Sequence, residues 1–116
     1  MIVKKLMGSV GWADYGDTAD GEIHRVILRE NGELVVDVTC EGYRYSASLK
    51  KVAGSQYKGQ WTCLTDRRTY KDDVSCTLYR SDEGYLLFGK WHENGANQYW
   101  WAELSEVDHF PDETHA

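Results

Sequence analysis

A chain of 116 residues forms one domain with room for a single core, and its formal net charge is −6 with no run of Lys or Arg longer than two. A nucleic-acid surface needs a concentrated basic stripe, so that partner class is excluded. No stretch is long and apolar enough to span a membrane, and residues 1–12 lack a signal-like apolar core, so the expected setting is the cytoplasm with reduced thiols.

In chain order, the apolar residues alternate or come in short runs dominated by β-branched and aromatic types, which predicts strands and no long helix. Eight strands are predicted, at residues 2–10, 22–30, 33–40, 43–52, 56–64, 74–80, 85–91 and 98–104. Asn31-Gly32 predicts a two-residue hairpin turn, since both positions tolerate positive φ. Glu41-Gly42 closes the next hairpin, and Asp82-Glu83-Gly84 and Glu93-Asn94-Gly95 do the same later. Longer links are expected at residues 14–21 and 65–73. From Ser105 the pattern fails, and residues 105–116 read as an acidic, mobile tail around Pro111.

Several strands show which way they face. Leu34, Val36, Val38 and Cys40 share one side of theirs, as do Tyr43, Tyr45, Ala47 and Leu49, and Tyr57, Gly59, Trp61 and Cys63. Near the end, Tyr85, Leu87, Gly89 and Trp91 oppose Leu86, Phe88 and Lys90, while Trp100 and Trp101 point to opposite faces. The last hairpin therefore carries apolar surface on both sides, more than one core can use.

The second half also reads as a diverged copy of the first. Gly8 falls on Gly59, Arg29 on Arg80, Leu34 on Leu86, Glu41 on Glu93 and Leu49 on Leu104, with the offset drifting from 51 to 55 near expected turns. The two long links occupy equivalent places in repeat units of about 1–52 and 53–104. Two four-stranded meanders that close on each other remove their edges. The expected fold is all-β: an eight-stranded antiparallel meander barrel spanning residues 1–104, with a two-sheet β-sandwich as the alternative.

Tyr57-Lys58-Gly59-Gln60-Trp61 resembles the Gly-x-Trp that opens lipocalin and avidin barrels, and Gly89-Lys90-Trp91 repeats it. The motif is mid-chain here and N-terminal in those families. The calycin-like resemblance implies a barrel holding one small, largely apolar molecule at its open end.

The candidate binding residues are Tyr57, Trp61, Arg80, Trp91, Tyr99, Trp100 and Trp101. Tyr43, Tyr45, Tyr57, Trp61, Trp91 and Trp100 either line a pocket or fill the barrel, since eight strands leave an interior just wide enough for side chains. Arg29 and Arg80 either pair with Glu41 and Glu93, once in each half, or converge on an anionic ligand. Cys63 and Cys76 are candidates for a cross-strand pair. No histidine or cysteine spacing indicates a metal or cofactor, and no acid–base or nucleophile constellation indicates catalysis. The expected function is noncatalytic binding of a small molecule at the barrel mouth. The alternative is a protein-interaction module, such as an inhibitor, immunity factor or assembly partner, acting through an exposed aromatic hairpin.

Overall fold

A computed structural model describes residues 3–14, 16–65 and 70–111. Eight strands follow in chain order: β1 (Val3–Asp14), β2 (Asp17–Arg29), β3 (Glu33–Cys40), β4 (Tyr43–Ala53), β5 (Gln56–Cys63), β6 (Lys71–Ser81), β7 (Gly84–Glu93) and β8 (Ala96–Glu106). Each pairs antiparallel with its neighbour in sequence, and β1 closes on β8, giving a closed barrel. The closing seam runs from Leu6↔Glu106 to Ala13↔Tyr99, which overturns the sandwich alternative, since a sandwich leaves edges unpaired.

All eight predicted strands are present, and the corrections lie at their ends. The link expected at 14–21 is a tight hairpin, because Ala13 pairs with Thr18 and Trp12 with Ala19. Gly21, which reads as a loop residue, is a packing residue: a Cβ there would lie 2.6 Å from the Trp12 ring. The link between β5 and β6 includes residues 66–69, outside the described residues. The strand bounds make this link longer than the one between β1 and β2. The turn at Asn31-Gly32 also differs from expectation. Gly32 N donates to Arg29 O at 3.1 Å and only Gly32 has positive φ, 86°, so this is a longer loop closed by a left-handed glycine. Among the described residues, Glu41-Gly42 and Asn94-Gly95 are turns in which both residues have positive φ.

The predicted tail is anchored as far as Phe110. β8 runs to Glu106, Val107 N donates to Lys5 O at 2.9 Å, and Phe110 is 2% exposed, its ring within 5.5 Å of both Lys5 and Arg25. One aromatic side chain, spaced four residues past the last strand, supplies the burial that the surrounding acidic residues conceal. Residues 112–116 lie outside the described residues.

The interior is packed with side chains, as the small diameter of an eight-stranded barrel requires. Leu34, Val36, Val38, Ala47, Leu49, Leu87, Trp91 and Trp100 all face inward and are buried. Tyr43 departs from its predicted inward set: it closes the β3–β4 turn opposite Cys40 and is 49% exposed. In the proposed halves, Gly8 pairs with Leu104 and Gly59 with Leu49. Facing is not shared throughout, since Leu34 is buried while Leu86 alternates with the core residue Leu87. Cys63 and Cys76 are not neighbours. Cys76 pairs with Tyr57, six residues along β5 from Cys63 and about 20 Å away at strand rise, and all three cysteines are free. No helix long and apolar enough to cross a membrane occurs among the described residues.

Candidate functional site

The meander sends successive turns to opposite mouths of the barrel. The start of β1 and the turns after β2, β4 and β6 lie at one mouth; the turns after β1, β3, β5 and β7 lie at the other.

The first mouth holds a cleft of about 430 Å³ whose lining includes Lys4, Leu28, Arg29, Lys51, Tyr57 and Arg80. Lys4 comes from the start of β1, Arg29 from the end of β2, Lys51 from β4 and Arg80 from the end of β6. Leu28 and Tyr57 are buried and form an apolar floor. Burial pushes the Tyr57 hydroxyl pKa up, and nearby Arg80 opposes that shift.

Two of the four cations are tied to carboxylates. Arg29 Nε donates to Glu33 Oε1 at 2.9 Å. Lys4 Nζ donates to the Tyr85 hydroxyl at 2.9 Å and sits 3.3 Å from Glu106 Oε1, and Tyr85 in turn donates to Glu106 at 2.8 Å. The Tyr85 hydroxyl, then Glu106, raises the Lys4 pKa; the same hydroxyl, then Lys4, lowers that of Glu106. Among the described residues, neither Lys51 nor Arg80 makes an ion pair within 4 Å, although Arg80 is near enough to Glu106 to help lower its pKa. The Arg80 guanidinium lies 5.6 Å from the Tyr85 ring centroid, which positions it beside the cleft.

The expected Arg–Glu pairs do not form. Arg29 is at the first mouth, whereas Glu41 and Glu93 sit at the turns of the second. Arg29 takes Glu33 instead, four residues on across the β2–β3 turn.

The predicted tryptophans are mainly core. Trp61, Trp91 and Trp100 are 3%, 2% and 0% exposed. Each indole N–H has an acceptor: His92 O at 2.8 Å for Trp61, Glu93 Oε1 at 3.2 Å for Trp91 and Ser75 O at 2.9 Å for Trp100. Trp61 stacks on Trp91 at 5.4 Å, and Trp12 and Trp100 meet Trp91 edge-on. Together they fill the barrel towards the second mouth, where Trp12, Trp61 and Trp91 border the clefts.

Tyr99 and Trp101 are on the outer wall. Tyr99, 55% exposed, stacks on Phe88, 43% exposed, with centroids 5.7 Å apart. Trp101 is half-buried against β1, where a Cβ on Gly11 would come within 2.8 Å of its ring.

Of the seven predicted site residues, the structure brings Tyr57 and Arg80 together in the cleft at the first mouth and places Trp61 and Trp91 at the opposite mouth. Sequence reasoning missed Lys4 and Lys51 at the cationic rim. Both look like ordinary solvated lysines in the chain, and only closure of β1 on β8 brings Lys4 near Tyr85 and Glu106. Among the histidines, His92 Nδ1 lies 2.8 Å from Asp72 Oδ1, and no group of three His, Cys, Asp or Glu side chains among the described residues could hold a metal.

These features define the class of molecule: a small, closed, antiparallel meander barrel with a filled interior and a cationic cleft at one mouth. No protein-family model, curated protein or solved structure matches the chain.

Proposed function

We propose that the protein is a noncatalytic binding protein for a small anionic molecule, held in the cleft between Arg29, Lys51, Arg80 and Lys4. One observation carries this reading: four basic side chains from four different strands border a single cleft of about 430 Å³ in a chain of net charge −6. Glu30 also lines the cleft, and Glu33 and Glu106 already offset Arg29 and Lys4, so the positive charge offered to an anion rests chiefly on Lys51 and Arg80. Arg29 and Arg80 offer planar forks for a carboxylate, phosphate or sulfonate, and Leu28 with Tyr57 offers apolar contact for the rest of the ligand.

This reading keeps part of what the calycin-like resemblance implies, one ligand at an open mouth, and changes its chemistry. The tryptophans fill the interior, so the ligand sits on the rim cleft and is selected by its charge.

Titration with 8-anilinonaphthalene-1-sulfonate, followed by its fluorescence, tests the reading. Charge-assisted hydrogen bonds contribute about 1.5–3 kcal/mol each, so the double variant K51A/R80A should weaken binding by roughly tenfold or more. Both side chains are exposed, so the fold should survive. Undiminished binding by K51A/R80A, or equal binding of the uncharged parent amine, N-phenyl-1-naphthylamine, would remove the cationic cleft as the site.

A second reading is favoured by the stacked, exposed Phe88–Tyr99 pair beside Trp101. Large aromatics with exposed faces are typical interface anchors, so the outer wall of β7 and β8 is a candidate protein-docking surface. Co-purification of a partner by the wild type but not by F88S/Y99S would support it, and identical recovery by both would count against it.

A further inference from the structure

At the second mouth we propose an independent site for a quaternary ammonium group, set between the Trp12, Tyr45 and Trp91 rings and the Glu41 and Glu93 carboxylates. The cleft there measures about 100 Å³. That is the space of three or four waters at roughly 30 Å³ each, which suits an alkylated ammonium and excludes a nucleotide or a sugar. A neighbouring cleft of about 210 Å³ shares Tyr45 and Glu93 with it and gives room for whatever the ammonium is attached to.

The walls are aromatic on three sides. Trp12 and Tyr45 meet Trp91 edge-on at 5.5 and 5.8 Å, and the Trp61 stack on Trp91 fixes its plane from behind. Such a frame is preorganised, because each ring is held by its neighbours whether or not a ligand is present.

Carboxylates gather at this cleft. Glu41 comes from the β3–β4 turn and Glu93 from the end of β7, with Asp20 of β2 nearby. None of the three is paired with a Lys, Arg or His among the described residues. The carboxylates bear on two other groups that line the cleft. Burial, then Glu41, Glu93 and Asp20, raises the Cys40 thiol pKa; burial, then Glu93, raises that of the Tyr45 hydroxyl.

Glu41 also occupies a backbone position that does not suit it. Its φ is 52° and that of Gly42 is 84°, the pattern of a turn usually filled by Asn-Gly. Asparagine tolerates the left-handed region better than glutamate does, so a carboxylate here costs backbone strain.

Aromatic rings beside carboxylates that have no Lys, Arg or His partner among the described residues select a soft cation with spread charge; the bond that Glu93 accepts from the Trp91 N–H leaves its charge in place. Small metal ions keep their water and want several oxygens, whereas a quaternary ammonium gives up its weak hydration and rests on ring faces.

Choline and its neutral isostere 3,3-dimethyl-1-butanol, each titrated up to about 10 mM, the range of weak but specific binding, provide the test through tryptophan fluorescence. Choline should give a saturable change and the isostere none. E41N/E93Q should weaken choline binding at least tenfold, while E41N alone should unfold at the same or a higher denaturant concentration than wild type. K51A/R80A at the opposite mouth should leave choline binding unchanged, which separates this site from the anion cleft. Flotation with phosphatidylcholine vesicles would identify a lipid headgroup as the source of the ammonium, and binding of free choline alone would identify a soluble ligand; either supports the site. Equal response to the isostere, an unaffected E41N/E93Q double variant, or no saturation with choline would overturn it.

Discussion

At the scale of single residues, the aromatic core gives the sharpest expectations. Trp100 is fully buried, and its indole N–H satisfies the Ser75 carbonyl. Trp100→Ala should cost about 3–5 kcal/mol in denaturant unfolding. Trp100→Phe keeps most of the volume but removes the donor, for a loss of roughly 1–3 kcal/mol. A loss below that range would mean that the Ser75 carbonyl finds water instead. Gly8 and Gly59 give a second residue-scale expectation. A Cβ on Gly8 would collide with the Glu103 backbone carbonyl, and one on Gly59 with that of Ser48. Neither partner is a flexible side-chain end, so Gly8→Ala and Gly59→Ala should each cost about 1–3 kcal/mol as overpacking does. A neutral or stabilising result, as for alanine at an unstrained glycine, would show that the strands can separate there. Cys76 adds a pH dependence. Burial pushes its thiol up to about 12 from an ordinary value of 9.0. The unfolded thiol ionises above 9 while the native one holds its proton, so this group's contribution to stability falls as pH rises from 9 towards about 12. Unfolding curves at pH 8 and 10.5 should differ less for Cys76→Ala than for wild type.

At the scale of elements, the chain beyond β8 decides a question that its composition obscures. Val107 continues the pairing onto Lys5, and Phe110 buries its ring between Lys5 and Arg25. Phe110→Ala should therefore cost about 3–5 kcal/mol, and truncation after Glu106 should cost at least as much. If the truncated chain unfolds at the wild-type denaturant midpoint, the segment after β8 is a passive extension. The hairpins likewise show that one dipeptide can serve different turns. Asn31-Gly32 predicted a two-residue turn, but the structure spreads the bend over Glu30, Asn31 and Gly32, and only the glycine takes positive φ. Turn type depends on where strand pairing resumes, and that is set by the register of β2 against β3.

At the scale of the whole molecule, closure removes the sheet edges and ties the termini of the barrel to the stability of the rest. Amides of β1 that face β8 should exchange with solvent as slowly as those of β3 and β4, since no free edge is available to fray. Fast exchange confined to the β1–β8 seam would reveal an opening barrel. Acid should weaken the fold through two surface carboxylates. Asp72 is held below its ordinary value of 3.8 by the Asp73 backbone N–H and then His92, and Glu106 below 4.5 by Tyr85 and then Lys4. Depressed carboxylates stabilise the native state above their unfolded pKa, and this share is lost as pH falls through the folded value. Stability should therefore drop below about pH 4.5, and D72N or E106Q should make the drop shallower. The change should be small, because both pairs are open to solvent and screened.

The alternation of apolar residues determined the strands by itself, because each of Leu34, Val36 and Val38 needs a dry face and each residue between them does not. That local requirement is written in neighbouring residues, so eight strands and a meander were legible without coordinates. Trp61 was legible as inward-facing, but which side of the last hairpin met the core was not, nor whether Trp61, Trp91 and Trp100 lined a pocket or filled it. That depended on the barrel's width and on carbonyl acceptors contributed by His92 and Ser75, 31 and 25 residues away. The basic side chains of the first-mouth cleft were half legible, in Arg29 and Arg80, and half hidden, in Lys4 and Lys51. Charge has no periodicity that reports its partners: Arg29 and Glu41 seemed paired in the chain and lie at opposite mouths in the fold. Short-range patterning decides which residues face inward, and only the closed barrel decides which of the others meet.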